Sequence, residues 1–505
     1  MRVDHPKRRI EDSIQNHRQN IKRINETIWN NPELAWTEKT AHDTICDYFE
    51  SLSREYEVTR HAYGIETSFL IQAAVKHDRI GANAGSKILF GQDVEAGQIS
   101  DRSLSAPLIV FNAEYDALPN MKTSAGADPP KKSPAHACGH NLITSASVAA
   151  FIACWEALKD SQLPGIVRLL GTPAEESGGG KLRLLRAGAY LHTDACLMVH
   201  PGPLVSDPDL KACALTKSLA SQKLIAEFEG VAAHAGIAPW DGRNALDALI
   251  TSYVGITTLR QQLLPSQRIN GIITNGGTAA NIIPDHTRTE FSIRAQNKTG
   301  LEDLCQKVTR CFHGGATATG CSVKVDDRRA AYWDLIANKV LCKEYTQQMN
   351  NYDIRTVYEL PGLSDSPGAA TDQGNVSHFV PAIMAAFFID SGGAVNHTPK
   401  FAEAAGTENA FDRAMGAAKG LAGLGFEVLT NTKFLQEVRD SHQKDIADKI
   451  DAHVARSGDN FQLTDQQIEN LITESMPSLL PVLQGGGITR LQAIGALMAT
   501  DTSFV

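Results

Sequence analysis

In the stretch "SPAHACGHNLITSAS", residues 133–147, His136, Cys138 and His140 fall within five residues, directly ahead of a run that reads as a helix. A thiol and an imidazole two positions apart can aim at one point, and that pairing is metal chemistry. One Cys and one His cannot hold an ion alone, so partners must come from elsewhere in the chain. "TPAEESGGGK" supplies two adjacent carboxylates, Glu175 and Glu176, followed by glycines at 178–180. Like charges side by side repel. Near a cation the arrangement makes sense, because one carboxylate can coordinate while its neighbour takes a proton from the attacking water. The glycines let the backbone turn tightly beside the ion. A phosphate-binding loop is excluded, since the glycine required four residues ahead of a Gly-Lys pair is missing. His200 ends "CLMVHPGP", and His397 lies in "SGGAVNHTPKFAEA". Cys138, His140, Glu176, His200 and His397 thus offer five soft-to-intermediate ligands, suited to a pair of divalent ions sharing a bridging ligand. Taken singly, each has a plainer explanation: a small buried cysteine, a solvated acidic loop, an ordinary loop histidine. The reading rests on the set.

The elements around these residues must place them together. From about residue 20 to 215, short β-branched runs alternate with amphipathic segments: strand "APLIVFNAEY", helix "ITSASVAAFIACWEALK", strand "GIVRLLGT", helix "GKLRLLRAGA", strand "ACLMV". This α/β alternation predicts a sheet buried on both faces by helices, with ligands collecting at the carboxyl ends of its strands. Asp116, Glu175, Glu176 and His200 all follow such strands. Between 217 and 328 the pattern becomes strand, helix, strand, strand, helix, strand, which predicts a small ferredoxin-like α+β domain inserted in the first. The α/β domain resumes over 329–430 with the strand "PAIMAAFFI" and one long Ala/Gly-rich helix from 403 to 429. Residues 431–505 are expected to be a helical extension, loosely attached, with a capping box at Thr464 and Gln467.

Composition narrows the function classes. At 505 residues two or more domains are expected, and 42% hydrophobic with 21% charged residues describes a soluble globular chain. A net charge of −9 gives no reason to expect nucleic acid or an anionic membrane as partner, so a small molecule is expected instead. No apolar run long enough for a membrane span and no signal-peptide pattern is visible, and the nine scattered cysteines imply reduced thiols. A cytoplasmic protein is the expectation.

The motifs "NPELAWTE" (31–38), "NAEYDALP" (112–119), "HACGHN" (136–141), "GTPAEESGGGK" (171–181), "VHPGP" (199–203), "GVAAHAG" (230–236), "NIIPD" (281–285), "TDQGNVS" (371–377) and "NHTP" (396–399) run in the order found in one family. The chain resembles metallopeptidase family 20, the aminoacylase and glutamate-carboxypeptidase family. Within it, the chain resembles the amidohydrolase branch with a Cys ligand, in the subgroup containing aminobenzoyl-glutamate hydrolase and the β-alanyl-lysine type dipeptidase. Coverage is roughly residues 20 to 428. The resemblance implies a zinc-peptidase-like catalytic domain with a mixed sheet, and an inserted lid and dimerisation domain. It places Cys138, His140, Glu176, His200 and His397 on the metal ligands and Glu175 on the general base. It implies two divalent ions, zinc or manganese. His234 falls where the family reaches the partner subunit's active site in a homodimer, Asn281 and Arg294 where it contacts the substrate's carbonyl and carboxylate, and Asp116 where a carboxylate orients the site. Residues 431–505 lie beyond the resemblance.

These residues predict a metal-dependent amidohydrolase acting on a small carboxylate-bearing amide, an N-acyl amino acid or dipeptide. Two alternatives stand at this stage. The same site could serve amide formation or acyl transfer, or the fold could persist in a non-catalytic binding protein; none of the five ligands is lost, which weighs against the latter.

Overall fold

The computed structural model describes residues 4–75, 106–123, 132–326, 330–361 and 368–457. The chain divides into two compact units. The first runs to Lys217, resumes at Leu335 and again at Asn375; the second comprises Ser218–Asp334 and a short return segment ending at Gly374. The inserted unit therefore extends a few residues past the expected boundary at 328.

The first unit holds strands β1 (Glu57–Arg60), β2 (Phe69–Val75), β3 (Leu108–Ala113), a hairpin of β4 (Leu118–Thr123) and β5 (Lys132–Ala135), then β6 (Gly165–Gly171), β7 (Ala195–Pro203) and β8 (Ala212–Cys213). After the insertion come β13 (Thr356–Val357) and β14 (Ala382–Ile389). Among the described residues eight of these form one mixed sheet, ordered β1-β2-β6-β3-β7-β14-β8-β13. Strands β6, β3, β7 and β14 run parallel at its centre. The period of two along β3 explains why: Ile109 and Phe111 enter one core while Leu108 and Val110 enter the other, so both faces need covering. Helices α1 (Asp4–Asn30), α3 (His140–Ser161), α7 (Lys339–Asn351) and α10 (Glu408–Thr430) pack against one another over one face. The other core takes Leu184 and Leu185 of α4 (Gly180–Arg186) with Val376 and Phe379 of α8 (Gln373–Phe379). Helix α3 is long and apolar enough to cross a membrane, but almost all of it is buried in this core.

Three elements differ from the sequence-based expectation. The expected continuous helix over 403–429 breaks in two, α9 (Pro399–Ala404) and α10. Gly406 sits under Trp29, where a Cβ would stand 2.3 Å from the indole, and Thr407 caps α10 by accepting from Ala410 N–H. The N-terminal region folds as a 27-residue helix. Its residues Ile10, Ile14, Ile21, Ile24 and Ile28 are all buried, on a single stripe. The third is the extension: Thr432–Ser457 forms one helix, α11, whose Leu435, Val438 and Ile446 are buried. Asn338 donates to the Val438 carbonyl, and Arg439 pairs with Asp194. This part of the tail is thus packed rather than loose. The capping box at Thr464 lies outside the described residues.

The second unit contains β9 (Ala220–Glu229), α5 (Ala245–Thr258), β10 (Arg268–Asn275), β11 (His286–Ala295), α6 (Lys298–Thr319) and β12 (Ser322–Asp326). Its antiparallel sheet is ordered β10-β11-β9-β12. That is the ferredoxin-like order, with α5 and α6 together over the sheet.

Candidate metal centre

The parallel strands β3, β6, β7 and β14 carry the expected residues at or just beyond their carboxyl ends. Asp116 follows β3, Glu175 and Glu176 follow β6, His200 lies near the end of β7, and His397 follows β14. Cys138 and His140 come from the turn that opens α3. Gly139 between them is left-handed at φ +82°, and a Cβ there would stand 2.5 Å from Pro201 Cγ, so the turn requires glycine. Gly180 meets a comparable limit, because its Cβ would fall 1.8 Å from the Pro173 carbonyl oxygen. These close approaches fold the Glu175–Glu176 turn back against β6.

The donor atoms converge. Cys138 Sγ lies 3.3 Å from His200 Nε2, and His140 Nε2 lies 3.8 Å from Glu176 Oε1 and 3.9 Å from Glu175 Oε2. His397 Nε2 stands 3.6 Å from Glu176 Oε1. Among the described residues three groups of three have their ligand atoms within 4.8 Å of one another, and two of them share a thiol: Cys138, His140 and His200, and Cys138, Glu176 and His397. Cys138 belongs to both, as a bridging ligand would. Asp116 orients the set, accepting from His140 Nδ1–H at 3.0 Å and from Glu176 N–H at 3.0 Å. His200 Nδ1–H is likewise spent on the Pro201 carbonyl at 2.8 Å. Each of these two imidazoles therefore turns its other nitrogen toward the cluster.

Electrostatics at the site favour a cation. Burial, reinforced by Glu176, pushes the Cys138 thiol well above its ordinary range, so a thiolate here needs positive charge beside it. Burial lowers His200 to about 4 and keeps it neutral, as a ligand must be. Burial also opposes a charged His140, but Cys138 and Asp116 outweigh it and hold its pKa well above the imidazole range. Burial raises Glu176 to about 7. His140 Nε2 and Glu176 Oε1 are buried with no hydrogen-bond partner among the described residues. Buried orphans of this kind are costly in a native protein unless an ion or an ordered water satisfies them. The residues fit divalent cations.

Sequence reasoning passed over several residues that shape the site. Glu38 is buried, accepts from Ala174 N–H at 2.8 Å, and is raised to about 7 by burial with Asp116 adding to the effect. Glu114 and Lys181 form a fully buried pair, 2.5 Å apart, with Glu114 Oε2 3.5 Å from His140 Nε2. Both lie inside quoted motifs; the available signal was a charged residue two positions before Asp116 and a lysine in the first turn of the helix that follows the glycines. Three expected site residues, His234, Asn281 and Arg294, belong to the second unit. There the loops of His234 and Asn281 meet, with Ala235 N–H donating to the Asn281 carbonyl, while Arg294 on β11 donates to the Gly368 carbonyl at 2.5 Å.

Comparison with known proteins agrees with this arrangement. Residues 110–414 match the model of Peptidase family M20/M25/M40. The Xaa-Arg dipeptidase of Mus musculus is 33% identical over 437 residues, 86% of this chain and 91% of that protein. A chain of the p-aminobenzoyl-glutamate hydrolase of Escherichia coli is 30% identical over 320 residues, 62% of this chain and 59% of that one. In fold, a dinuclear metal-binding peptidase of the M20 family from Bacillus subtilis superposes with a TM-score of 0.53 at 17% identity, covering 82% of this chain and 99% of that chain. The chain belongs to Peptidase family M20/M25/M40 and is a metal-dependent hydrolase of amide bonds.

Proposed function

We propose that this chain cleaves the amide bond of a small substrate bearing a free carboxylate, an N-acyl amino acid or a dipeptide, with Glu175 as general base. The observation that carries the reading is the convergence of buried, unpartnered donor atoms around His140, with the Glu175 carboxylate at their edge. Cys138, His140 and His200 would hold one divalent ion and Cys138, Glu176 and His397 the second; this mix of thiolate, imidazole and carboxylate suits zinc or manganese. When bound, the ions supply Lewis acidity, which lowers the pKa of a water and polarises the scissile carbonyl. Glu175 takes a proton from the attacking water as its oxygen bonds to the carbonyl carbon. It returns that proton to the departing nitrogen as the C–N bond breaks. Asp116 fixes the His140 ring throughout.

His234, Asn281 and Arg294 complete the reading as substrate contacts. His234 Nδ1 accepts from the N–H groups of Gly236 at 3.1 Å and Ile237 at 3.2 Å, so the proton sits on Nε2, and the residue is exposed. An exposed Nε2–H on a ring fixed by its own loop is a donor ready for a carbonyl oxygen in the transition state. Arg294 suits the substrate carboxylate. We further infer a homodimer in which His234 serves the partner's site. Supporting it, the second unit exposes Ile250 and Val254 on α5 and Ile272 and Ile273 on its edge strand β10. All nine cysteines are free, which fits a reducing, cytoplasmic setting.

Purified protein should hydrolyse members of an N-acyl amino acid and dipeptide panel, lose activity to a chelator and regain it with zinc or manganese. Protein that analyses metal-free yet remains fully active would overturn the proposal.

A further inference from the structure

The pair formed by Glu114 and Lys181 has no part in the mechanism above, yet it is among the most deeply buried charged groups described. Both side chains are essentially inaccessible, and Lys181 Nζ lies 2.5 Å from Glu114 Oε1. Strand β3 delivers Glu114 to the site side, and its carbonyl is pinned by Thr144 Oγ1 of α3 at 2.5 Å. Lys181 stands in the first turn of α4, where the helix dipole disfavours positive charge. A buried ion pair whose only function is structural needs its remaining lone pairs satisfied. Here they are not. Glu114 Oε2 is buried with no hydrogen-bond partner among the described residues, and 3.5 Å away it faces His140 Nε2, which has none either. Two N and O donors bound to one ion at about 2.0–2.1 Å in tetrahedral geometry stand roughly 3.4 Å apart. The observed gap is that of two ligands sharing a cation. Glu114, His140 and Glu175 moreover form a third group whose ligand atoms lie within 4.8 Å of one another.

We propose that Glu114 is a further ligand of the ion bound at His140, and that Lys181 is the positioning residue that occupies Oε1 and leaves Oε2 as the single coordinating oxygen. The inference rests on the metal-site reading above. Lys181 also cancels one negative charge in a site already containing Asp116, Glu175 and Glu176, so that the extra carboxylate adds a ligand without adding net charge.

Metal binding to the full-length apoprotein, titrated with Zn²⁺ and with Co²⁺ as a spectroscopic probe, tests this directly. Wild type should bind two ions per chain. Glu114→Gln keeps the shape but is a poorer ligand, and should bind one of the two ions at least tenfold more weakly, with the Co²⁺ visible bands altered. Lys181→Met should keep both ions but lower the intensity of those bands, because the freed Oε1 raises the coordination number. If Lys181→Met does not fold, the double variant Glu114→Gln/Lys181→Met removes both charges together and should reproduce the weakened site. A folded Glu114→Gln or double variant with wild-type affinity for both ions and an unchanged Co²⁺ spectrum would overturn the role of Glu114. Wild type that bound no ion would instead overturn the metal-site reading itself.

Discussion

Glu175 and Glu176 are neighbours in the chain, and their carboxylates face one imidazole, His140, at 3.9 and 3.8 Å. Their surroundings separate their roles. Glu176 receives no side-chain donor at Oε1 but stands 3.6 Å from His397 Nε2, inside the group that includes Cys138. Its backbone N–H is held by Asp116, which fixes where the carboxylate begins. Glu175 belongs to a different group, with Glu114 and His140. The two should therefore fail differently when made neutral. Glu175→Gln is expected to keep its metal and lose turnover by about a hundredfold to ten-thousandfold. Glu176→Gln is expected to lose metal affinity by roughly tenfold or more, since its neutral amide replaces a charged ligand. Metal titration alongside steady-state kinetics distinguishes them, and identical titrations for the two variants would show the roles to be wrongly divided.

Helix α11 illustrates what an element can contribute without touching the site. It docks on the catalytic unit through Leu435, Val438 and Ile446, the Arg439–Asp194 pair and His442, whose Nε2–H donates to the Ser377 carbonyl at 2.9 Å. Burial lowers His442 to about 4, with nearby His378 acting in the same direction and the Ser377 carbonyl and Asp445 opposing it. An unfolded histidine titrates near 6.5, so between about pH 6.5 and 4 the unfolded chain binds a proton that the folded chain refuses. The stability contributed by this buried neutral ring is complete above pH 6.5 and is lost as pH falls toward 4, up to about 3 kcal/mol. Protection factors in α11, corrected for the intrinsic exchange rate at each pH, should fall over that window. His442→Gln should flatten the dependence, and an α11 whose protection in wild type is indifferent to pH between 7 and 4.5 would remove His442 as its cause.

At the scale of the whole molecule, the proposed dimer gives each site a His234 from the partner. Mixing separates this arrangement from a self-sufficient chain. His234→Ala and Glu175→Gln proteins should each be nearly inactive. Combined under conditions that exchange subunits, they should recover up to about a quarter of wild-type activity, because half of the dimers are mixed and one of the two sites in each is intact. No recovery despite demonstrated exchange would place all catalytic groups within one chain.

The central strands, the order of the inserted unit and five candidate ligands were legible because each leaves a local mark: period-two burial, turn residues, and metal-type side chains at strand ends. The stripe of Ile10, Ile14, Ile21, Ile24 and Ile28 was equally present in the sequence, but the charges around it concealed a buried face. Other features have no local mark. The break at Gly406 depends on Trp29, more than three hundred residues earlier. The docking of α11 depends on Asp194 and Ser377, and the Glu114–Lys181 pair on a strand and a helix that meet only in the fold. The sequence by itself determined which chemistry this chain could perform, because ligand type and strand-end position are properties of residues. Only the tertiary structure decided which donor atoms are buried without partners, because burial and hydrogen bonding depend on what the rest of the chain brings to the same place.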